Sequence, residues 1–341
     1  MKIIGLTMGD ACGIGPEIIL QACQRPLDGD ILPVVYGSAA VLERDAAMLA
    51  SKKGWECGEE IVAIDSLAAA KPGQLNVLEV EPELDVSGMG WGEQDARAAR
   101  LQLSALERAI EDARAKDIVA ITTAPWTKEL FSLIDAPTVG HTEVLANAFD
   151  APHHVMMLAG DRLRVALTTV HVPVRRVSEV LTAARLEDTI RTTCHELRRL
   201  YGVDVARIAV CGLNPHAGEH GVMGTEEDDV IRPVIETMRS ELSGVCELAG
   251  PFPSDTLFAK FREAQPFDAV VCMYHDQGLI PLKLLHFGKS ANITLGLPIV
   301  RTSVDHGTAY DIAGQGVARH ESMRYAMELA LELAARAAQS H

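Results

Sequence analysis

Short Val-, Ile- and Ala-rich runs alternate with longer amphipathic stretches along this chain, and that alternation restricts its fold more than any other feature. The apolar runs are bounded by Gly, Pro or Asp, which is typical of buried strands, while the stretches between them have the spacing of helices. The pattern predicts an α/β fold with mainly parallel sheets and helices on both faces. The predicted strands are Ile3–Met8, Leu32–Tyr36, Ile118–Thr122, Val155–Leu158, Leu163–Thr168, Ile208–Cys211, Ala269–Met273 and Asn292–Leu295, and the clearest predicted helices are Glu93–Lys116, Leu186–Leu200, Glu226–Ser243 and Ser322–Gln339.

The length of the chain favours two lobes over one. At 341 residues, with 48% hydrophobic residues, it has enough apolar material for two cores. We expect one lobe to comprise residues 1–135 plus about 300–341, and the other about 136–299. Folds of this type place ligands at strand ends and in clefts, so we expect the active site in the cleft between the lobes.

Charge and cysteine content exclude several classes of protein. A net charge of −16 leaves no basic surface for nucleic acid or for anionic membranes, and no apolar run is long enough to span a bilayer. The start of the chain reads as a first strand and not as a signal peptide. The cysteines are seven in number, scattered and without a CxxC pair, so neither disulfides nor a thiolate zinc site is indicated. A cytoplasmic protein fits best.

The segment Gly9–Glu17 follows the first strand and precedes an apolar helix. Its Gly13 and Gly15 suggest a dinucleotide-binding loop, but Ile18 occupies the position of the third glycine, and no acidic residue ends the second strand. The segment is therefore not a Rossmann fingerprint. Two interpretations remain open: a cleft-lining turn whose backbone N–H groups approach a ligand, and a purely structural turn.

Three histidines each come shortly after a predicted strand, namely His171, His216 and His275. If those strands are neighbours in a parallel sheet, their ends direct one imidazole each towards one point, where a metal ion can bind. Asp276 can orient the imidazole beside it. A structural role for the histidines is the alternative.

Two cations stand in unusually apolar surroundings. Lys283 and Arg301 are flanked by aliphatic residues, with Asn292 between them in the sequence. Arginine can hold a phosphate or carboxylate with two hydrogen bonds, whereas lysine supplies a point charge. The alternative is a lysine that reaches solvent and an arginine in a structural salt bridge. The later segment Asp305–Gly316, which is rich in small and polar residues, indicates a loop of special conformation.

Taken together, these segments resemble the 4-hydroxythreonine-4-phosphate dehydrogenases of pyridoxal phosphate biosynthesis and their paralogues. The similarity runs through nearly the whole chain. The loops Gly9–Glu17 and His306–Gly316 also resemble those of isocitrate and isopropylmalate dehydrogenases, which bind their nucleotide without a Rossmann fingerprint. The matching blocks are Gly9–Glu17, Thr122–Pro125, Gly140–Glu143, Asn214–Glu219, Met223–Glu227, Asp255–Phe258, Tyr274–Gly278, Asn292–Pro298 and Arg301–Gly314.

The resemblance implies a fold like that of isocitrate dehydrogenase and assigns roles to particular residues. It implies a divalent ion (Zn, Mn, Co or Mg) on His171, His216 and His275, with ligands from both subunits of a homodimer. It implies substrate contacts from His141, Thr142, Lys283, Asn292 and Arg301. It implies that NAD or NADP binds at Gly13, Gly15, His306, Thr308 and Asp311. The candidates for the general base are His141, Asp255 and Asp276.

The implied reaction is oxidation of 4-phosphooxy-L-threonine to a β-keto acid, which loses CO2 to give 3-amino-2-oxopropyl phosphate. Three departures from the family pattern leave the phosphorylated hydroxy acid open: Ala11-Cys12, Trp126-Thr127 and Leu284–Phe287. One alternative is a dehydrogenase of D-threonate or D-erythronate 4-phosphate. An alternative of another class is a non-catalytic sensor of a metabolite or metal.

Overall fold

In the computed structural model, which describes residues 1–339, the chain forms two compact units. The first comprises Met1–Asp150 and Pro298–Ala334, and the second comprises Ala151–Leu297 together with residues 335–339. His141 and Thr142 therefore lie in the first unit, although the sequence analysis assigned them to the other lobe.

The first unit is built on a fully parallel sheet. Its strands lie in the order β3-β4-β2-β1-β5-β12, and every neighbouring pair is parallel. The strands are β1 (Lys2–Thr7), β2 (Ile31–Gly37), β3 (Glu60–Ile64), β4 (Gln74–Glu79), β5 (Ala120–Thr123) and β12 (Val300–Ser303). The helices are α1 (Gly15–Ala22), α2 (Ala39–Lys53), α3 (Ala96–Ala115) and α4 (His141–Ala148), and α10 (Glu321–Ala337) begins in this unit.

The second unit has a mixed sheet in the order β11-β6-β7-β10-β8-β9. The pairs β11/β6 and β6/β7 are antiparallel, whereas β7, β10, β8 and β9 run parallel. The strands are β6 (Val155–Gly160), β7 (Arg164–Leu167), β8 (Ala206–Cys211), β9 (Cys246–Phe252), β10 (Ala269–Cys272) and β11 (Ser290–Leu295). The helices are α5 (Val177–Val180), α6 (Ala183–Tyr201), α7 (Arg232–Glu241), α8 (Ser254–Ala259) and α9 (His275–His286).

Aliphatic side chains fill both faces of these strands, as the apolar runs require. Every residue of β5 and β10 is buried, and a core cluster behind β7, β8 and β10 includes Phe261, which is 0% exposed. Local signals set the helix ends: the Asp95 carboxylate caps α3 by accepting from Arg97 N, and left-handed Gly202 ends α6. The predicted mainly parallel α/β fold is confirmed.

The sequence analysis did not assign β3, β4, β9 and β12. β3 is mostly part-exposed, and β9 contains the exposed Glu247 and is fully buried only at Cys246 and Leu248, so neither has the continuous buried apolar pattern of a central strand. No helix within residues 1–339 has both the length and the hydropathy that a membrane span requires.

Candidate active site

Each of the three histidines predicted as metal ligands follows one of three adjacent strands in the second unit. β10 lies between β7 and β8 and is parallel to both, with Val270 paired to Val165 on one side and Ala209 on the other. All three strands therefore end at the same edge of the sheet. His171 and His216 lie in the loops after β7 and β8, and His275 is the first residue of α9.

Hydrogen bonds centred on Met273 hold these three strand ends together. The Met273 carbonyl accepts from Thr169 N (3.2 Å) and from Thr169 Oγ1 (2.7 Å), which joins β7 to β10. The Met273 N–H donates to Gln277 Oε1 (2.6 Å), and Gln277 Nε2 donates to the carbonyl of Gly212 (2.6 Å) just after β8. Gln277 is buried, so water does not compete for these hydrogen bonds. They therefore fix the backbone of Thr169, Gly212 and Met273, which precede the three histidines in the sequence.

His171 and His275 lie side by side, with ring centroids 5.8 Å apart and planes inclined by 41°. Two imidazoles bound to one tetrahedral ion, with metal–nitrogen bonds of about 2.0–2.1 Å, hold their centroids about 5 to 6 Å apart. The pair therefore fits two ligands of one ion. The Asp276 carboxylate accepts from Nδ1 of His275 (2.7 Å), which leaves Nε2 as the ligand nitrogen.

His216 is not close enough to complete this pair within one chain. Among residues 1–339, no group of three or more His, Cys, Asp or Glu side chains is arranged to hold a metal ion. The exposed His216 has a left-handed backbone (φ 54°), and Ala217, Glu219 and His220 share that conformation. Each such residue costs about 1–3 kcal/mol and persists only where surrounding contacts fix it, as is common at binding sites.

A buried carboxylate fixes the loop that carries His216. Glu227, which is 1% exposed, accepts from Leu213 N and Asn214 N, both at 2.7 Å. Its other oxygen accepts from Asn214 Nδ2 (2.9 Å). A Cβ on Gly218 would lie 2.7 Å from the same carboxylate, so the loop wraps closely around Glu227. The bonds to Glu227 offset the strain of the left-handed residues.

The first unit contains a buried cation. Arg301, on β12, is 2% exposed and donates to Thr123 Oγ1 (2.7 Å) at the end of β5. Burial lowers the pKa of its guanidinium to about 10, and Glu143 acts in the opposite direction, so it stays charged at neutral pH. A cation in this setting can bind an anionic group of a ligand strongly, because little water screens it.

His141 is a neutral imidazole close to that cation. Burial, and then the charge of Arg301, lower the pKa of His141 well below 6.5. The ring lies against Trp126, with centroids 3.7 Å apart and planes inclined by 18°. Since His141 is also the first residue of α4, the positive end of the helix further disfavours a charged ring. His141 can thus accept a proton or a hydrogen bond at neutral pH.

Two loops expected to bind the nucleotide contact each other in the first unit. Ile14 N donates to the carbonyl of Thr308 (3.0 Å), and a Cβ on Gly13 would lie 3.0 Å from Thr308. A Cβ on Gly15 would lie 2.4 Å from the carbonyl of Met8. A Cβ on Gly15 would thus force a shift of the backbone, and one on Gly13 would crowd Thr308, so packing within the chain accounts for small residues at both positions.

A buried carboxylate supports the same pair of loops. Asp10, which is 0% exposed, accepts from Tyr310 Oη (2.6 Å) and from Cys12 N (2.9 Å). Burial raises the pKa of Asp10, while its hydrogen bonds, including one from Thr127, oppose the rise. The sequence analysis placed Asp10 and Tyr310 within these loops without giving them a role.

The remaining predicted residues are distributed over both units. His306, Thr308 and Asp311 are in the first unit; His306 Nδ1 bonds to the carbonyl of Gly307 (3.0 Å), and Asp311 is exposed. In the second unit, Lys283 is on α9, Asp255 is exposed on α8, and Asn292 is on β11. The Oδ1 atom of Asn292 is buried and accepts no hydrogen bond from the described residues, so it can accept one from a ligand.

A family model described as "Pyridoxal phosphate biosynthetic protein PdxA" matches residues 30–330, which include the histidine-bearing strands, Arg301 and His141. The chain belongs to the PdxA family.

Full-length relatives agree with this assignment. The chain is 42% identical to 4-hydroxythreonine-4-phosphate dehydrogenase of Desulfosudis oleivorans, covering 98% of this chain and 96% of the relative. It is also 42% identical to D-threonate 4-phosphate dehydrogenase of Salmonella typhimurium, covering 98% and 99%. A crystal structure of the 4-hydroxythreonine-4-phosphate dehydrogenase of Klebsiella pneumoniae is 41% identical and superposes with a TM-score of 0.85, over 98% of this chain and 100% of that one. These named relatives in the PdxA family are dehydrogenases.

Several residues that organise the site were missed by sequence reasoning. Gln277 and Glu227 are polar residues on helical segments, and nothing in the sequence distinguishes them from solvated ones. Trp126 was noted only as a departure from the family pattern. Trp126 follows closely after the end of β5, and the chain has only three tryptophans. A rare aromatic residue near a strand end is the signal that could have identified it.

The anchoring role of Glu227 leads to a stability prediction. Glu227→Ala removes the carboxylate that accepts from two backbone N–H groups, so the free energy of unfolding should fall by about 3–6 kcal/mol, since each such bond contributes about 1.5–3 kcal/mol. Zinc affinity should fall about tenfold to hundredfold, as for other residues that orient ligands. Denaturant unfolding and zinc titration measure the two effects. Asp228→Ala, which removes only an exposed ion pair with Arg232, is the control, and equal stability of the two variants would refute the anchoring role.

The positive charge of Arg301 contributes to the low pKa of His141. Arg301→Gln removes a positive charge that disfavours the imidazolium, so the pKa of His141 should rise towards 6.5, whereas Arg301→Lys should leave it low. If neutral His141 is the active form, the acid limb of kcat/KM should move to higher pH in Arg301→Gln. NMR titration of labelled histidines, with the His141 signal assigned from His141→Gln, measures the pKa. A similar response in both Arg301 variants contradicts this account.

Proposed function

We propose that the protein is an NAD-dependent dehydrogenase that needs a divalent metal and oxidises 4-phosphooxy-L-threonine. The product is a β-keto acid, which loses CO2 to give 3-amino-2-oxopropyl phosphate. The supporting observation is the paired imidazoles of His171 and His275, in a chain that also carries the buried Arg301 beside neutral His141 and whose full-length relatives are named for this reaction. Paired metal ligands and an anion-binding cation are the groups that oxidation of a phosphorylated hydroxy acid requires.

The protein's own residues would bind the substrate and move its proton. Arg301 and Lys283 supply the positive charge for phosphate and carboxylate, and Asn292 and Thr142 supply hydrogen bonds. A bound nicotinamide would supply the acceptor for the hydride from C3, and the hydroxyl proton would need an acceptor from the protein. Neutral His141 is the best acceptor for that proton among the three candidates, because Asp276 is bound to His275 and Asp255 is exposed on α8.

The proposed metal site uses the three histidines in different ways. A divalent ion bound there would supply Lewis-acid stabilisation of negative charge on the substrate oxygen. Asp276 fixes the tautomer of His275, and Glu227 holds the strained loop of His216. Three nitrogen ligands suit zinc, while completion of the shell by substrate oxygens admits manganese, cobalt or magnesium.

For the nicotinamide cofactor we propose the two contacting loops of the first unit. Packing of Gly13 on Thr308 and of Gly15 on the Met8 carbonyl fixes the shape of this surface, and His306 and Asp311 lie on the same later loop. Asp311, exposed on that loop, can bond to ribose hydroxyls, which favours NAD over NADP because a carboxylate repels the additional phosphate of NADP.

D-Threonate 4-phosphate, or D-erythronate 4-phosphate, is the second candidate substrate. A relative named for D-threonate 4-phosphate is as similar to this chain as the relative named for 4-hydroxythreonine phosphate, at 42% identity in each case. The sequence departures at Trp126 and in Leu284–Phe287 are consistent with a different hydroxy acid.

We further propose that the active enzyme is a homodimer in which His216 completes the metal site of its partner. Among residues 1–339, His171 and His275 are paired, and no third His, Cys, Asp or Glu side chain joins them in a metal-binding group. Helix α9, which begins at His275, exposes an apolar stripe of Ile280, Leu284 and Phe287, which are 66%, 85% and 69% exposed. The spacing of these residues places them on one face, and a face of this kind is typical of a subunit interface.

A substrate screen tests the proposed reaction. Purified protein with NAD and Zn, Mn, Co or Mg should reduce NAD with one of 4-phosphooxy-L-threonine, D-threonate 4-phosphate and D-erythronate 4-phosphate, as followed by nicotinamide absorbance. Chelation should abolish turnover, and the matching metal should restore it. Ligand binding without turnover across all combinations would contradict an enzyme and support a sensor.

Mixing of inactive variants tests the shared metal site. His216→Ala and His275→Ala should each be inactive, yet their subunits should regain about a quarter of wild-type activity after exchange, because half of the dimers are mixed and each mixed dimer has one complete site. His171→Ala mixed with His275→Ala is the matched control and should stay inactive, since those ligands lie on the same chain. No recovery in the first mixture refutes sharing.

A further inference from the structure

The His141 ring stacks on the indole of Trp126, which in turn packs against Phe131. Trp126 stacks on His141 with ring centroids 3.7 Å apart and planes within 18° of parallel. The buried Phe131 meets the same indole edge-on, at 4.8 Å and 82°. Both arrangements are among the favoured geometries of aromatic pairs. The indole is therefore held in one orientation by contacts on two sides.

The backbone beside Trp126 is also fixed. Gln102 on α3 is 1% exposed and forms two hydrogen bonds with Thr127: its Nε2 donates to the Thr127 carbonyl (2.9 Å), and its Oε1 accepts from Thr127 N (3.1 Å). Thr127 Oγ1 also donates to Thr308 Oγ1 (3.1 Å). The position of the indole is thus set by a helix, a turn and a loop, and does not depend on a ligand.

Stacking on Trp126 changes the pKa of His141 in the opposite direction to burial and to the charge of Arg301. An indole face attracts an imidazolium by about 0.5–1 kcal/mol, while a change of one pKa unit corresponds to about 1.36 kcal/mol. Burial and the charge of Arg301 act in the opposite direction and prevail, so the pKa of His141 stays low. Arg301 acts on the ring by its charge, and Glu143 acts in turn on Arg301. The larger effect of Trp126 is therefore on ring orientation.

We propose that Trp126 is a positioning residue that fixes the imidazole plane of His141 and thereby aims a ring nitrogen at the substrate hydroxyl. The inference rests on the proposed dehydrogenase function. An aliphatic side chain at this position would fill space but provide no plane against which the imidazole can align. Fixed orientation is valuable because a displacement of about 1 Å at a reacting group can reduce the rate about a hundredfold.

Kinetics of two substitutions test the positioning role. Trp126→Leu should lower kcat about tenfold to hundredfold with a smaller change in KM, because an aimed nitrogen contributes mainly in the transition state. Trp126→Phe keeps a flat ring and should retain most of kcat. Trp55→Phe, which removes a tryptophan elsewhere, is the control and should behave as wild type. Unchanged kcat in a folded Trp126→Leu enzyme overturns the proposal.

NMR provides a readout that does not depend on turnover. Protons of a ring stacked on indole are shifted upfield, so the His141 ring signals should lie upfield of those of exposed histidines such as His195. The shift should be smaller in Trp126→Phe and absent in Trp126→Leu. Should Trp126→Leu fail to fold, Trp126→Phe and Trp126→Met replace it in both assays. A wild-type His141 signal without this shift refutes the stack, whereas a shifted signal in a protein that turns over none of the substrates refutes only the proposed function.

Discussion

The hydrogen bonds around the Met273 peptide are the constraint on which the histidine-bearing edge of the second unit depends. They are buried, they join the ends of three adjacent strands, and they run through the side chains of Thr169 and Gln277. Pairing of β10 with β7 on one side and β8 on the other fixes where the three strands end, so the core sets the positions of the chain segments that follow them. Folding of the sheet therefore already places His171 beside His275.

In the first unit, the guanidinium of Arg301 is buried at a cost in hydration, and its charge affects the groups around it. A guanidinium that is 2% exposed has lost most of its hydration, and the described bond to Thr123 replaces only part of it. Burial of His141, and then the same charge, lower the pKa of His141, so the buried cation can attract an anion and also helps to maintain a proton acceptor. An anionic group bound near Arg301 would offset its charge, and would thereby raise the proton affinity of His141 just when substrate is present.

The sequence predicted the central strands and the strand-end positions of the histidines well, because continuous apolar runs and single polar residues after them are local signals. β12 was missed since its four residues, Val300–Ser303, alternate with no clear apolar run although all are buried. Small residues are needed at Gly13 and Gly15 because Gly13 packs on Thr308 and Gly15 packs on the Met8 carbonyl. No local sequence pattern reveals these tertiary contacts. Gln277 and Glu227 escaped for the same reason: their partners are 65 and 14 residues away along the chain.

Overall identity cannot decide between the candidate substrates, and the reason is energetic. The two main candidates differ chiefly in whether C2 carries an ammonium or a hydroxyl group, and recognition of such a group depends on one or two hydrogen-bonding partners. Identity of 42% over more than 330 residues is an average over the whole chain, and it is the same for both kinds of relative. Discrimination must therefore lie in the few side chains that contact the group on C2. Substrate choice is thus a local property, superimposed on a fold that the chain shares with its relatives.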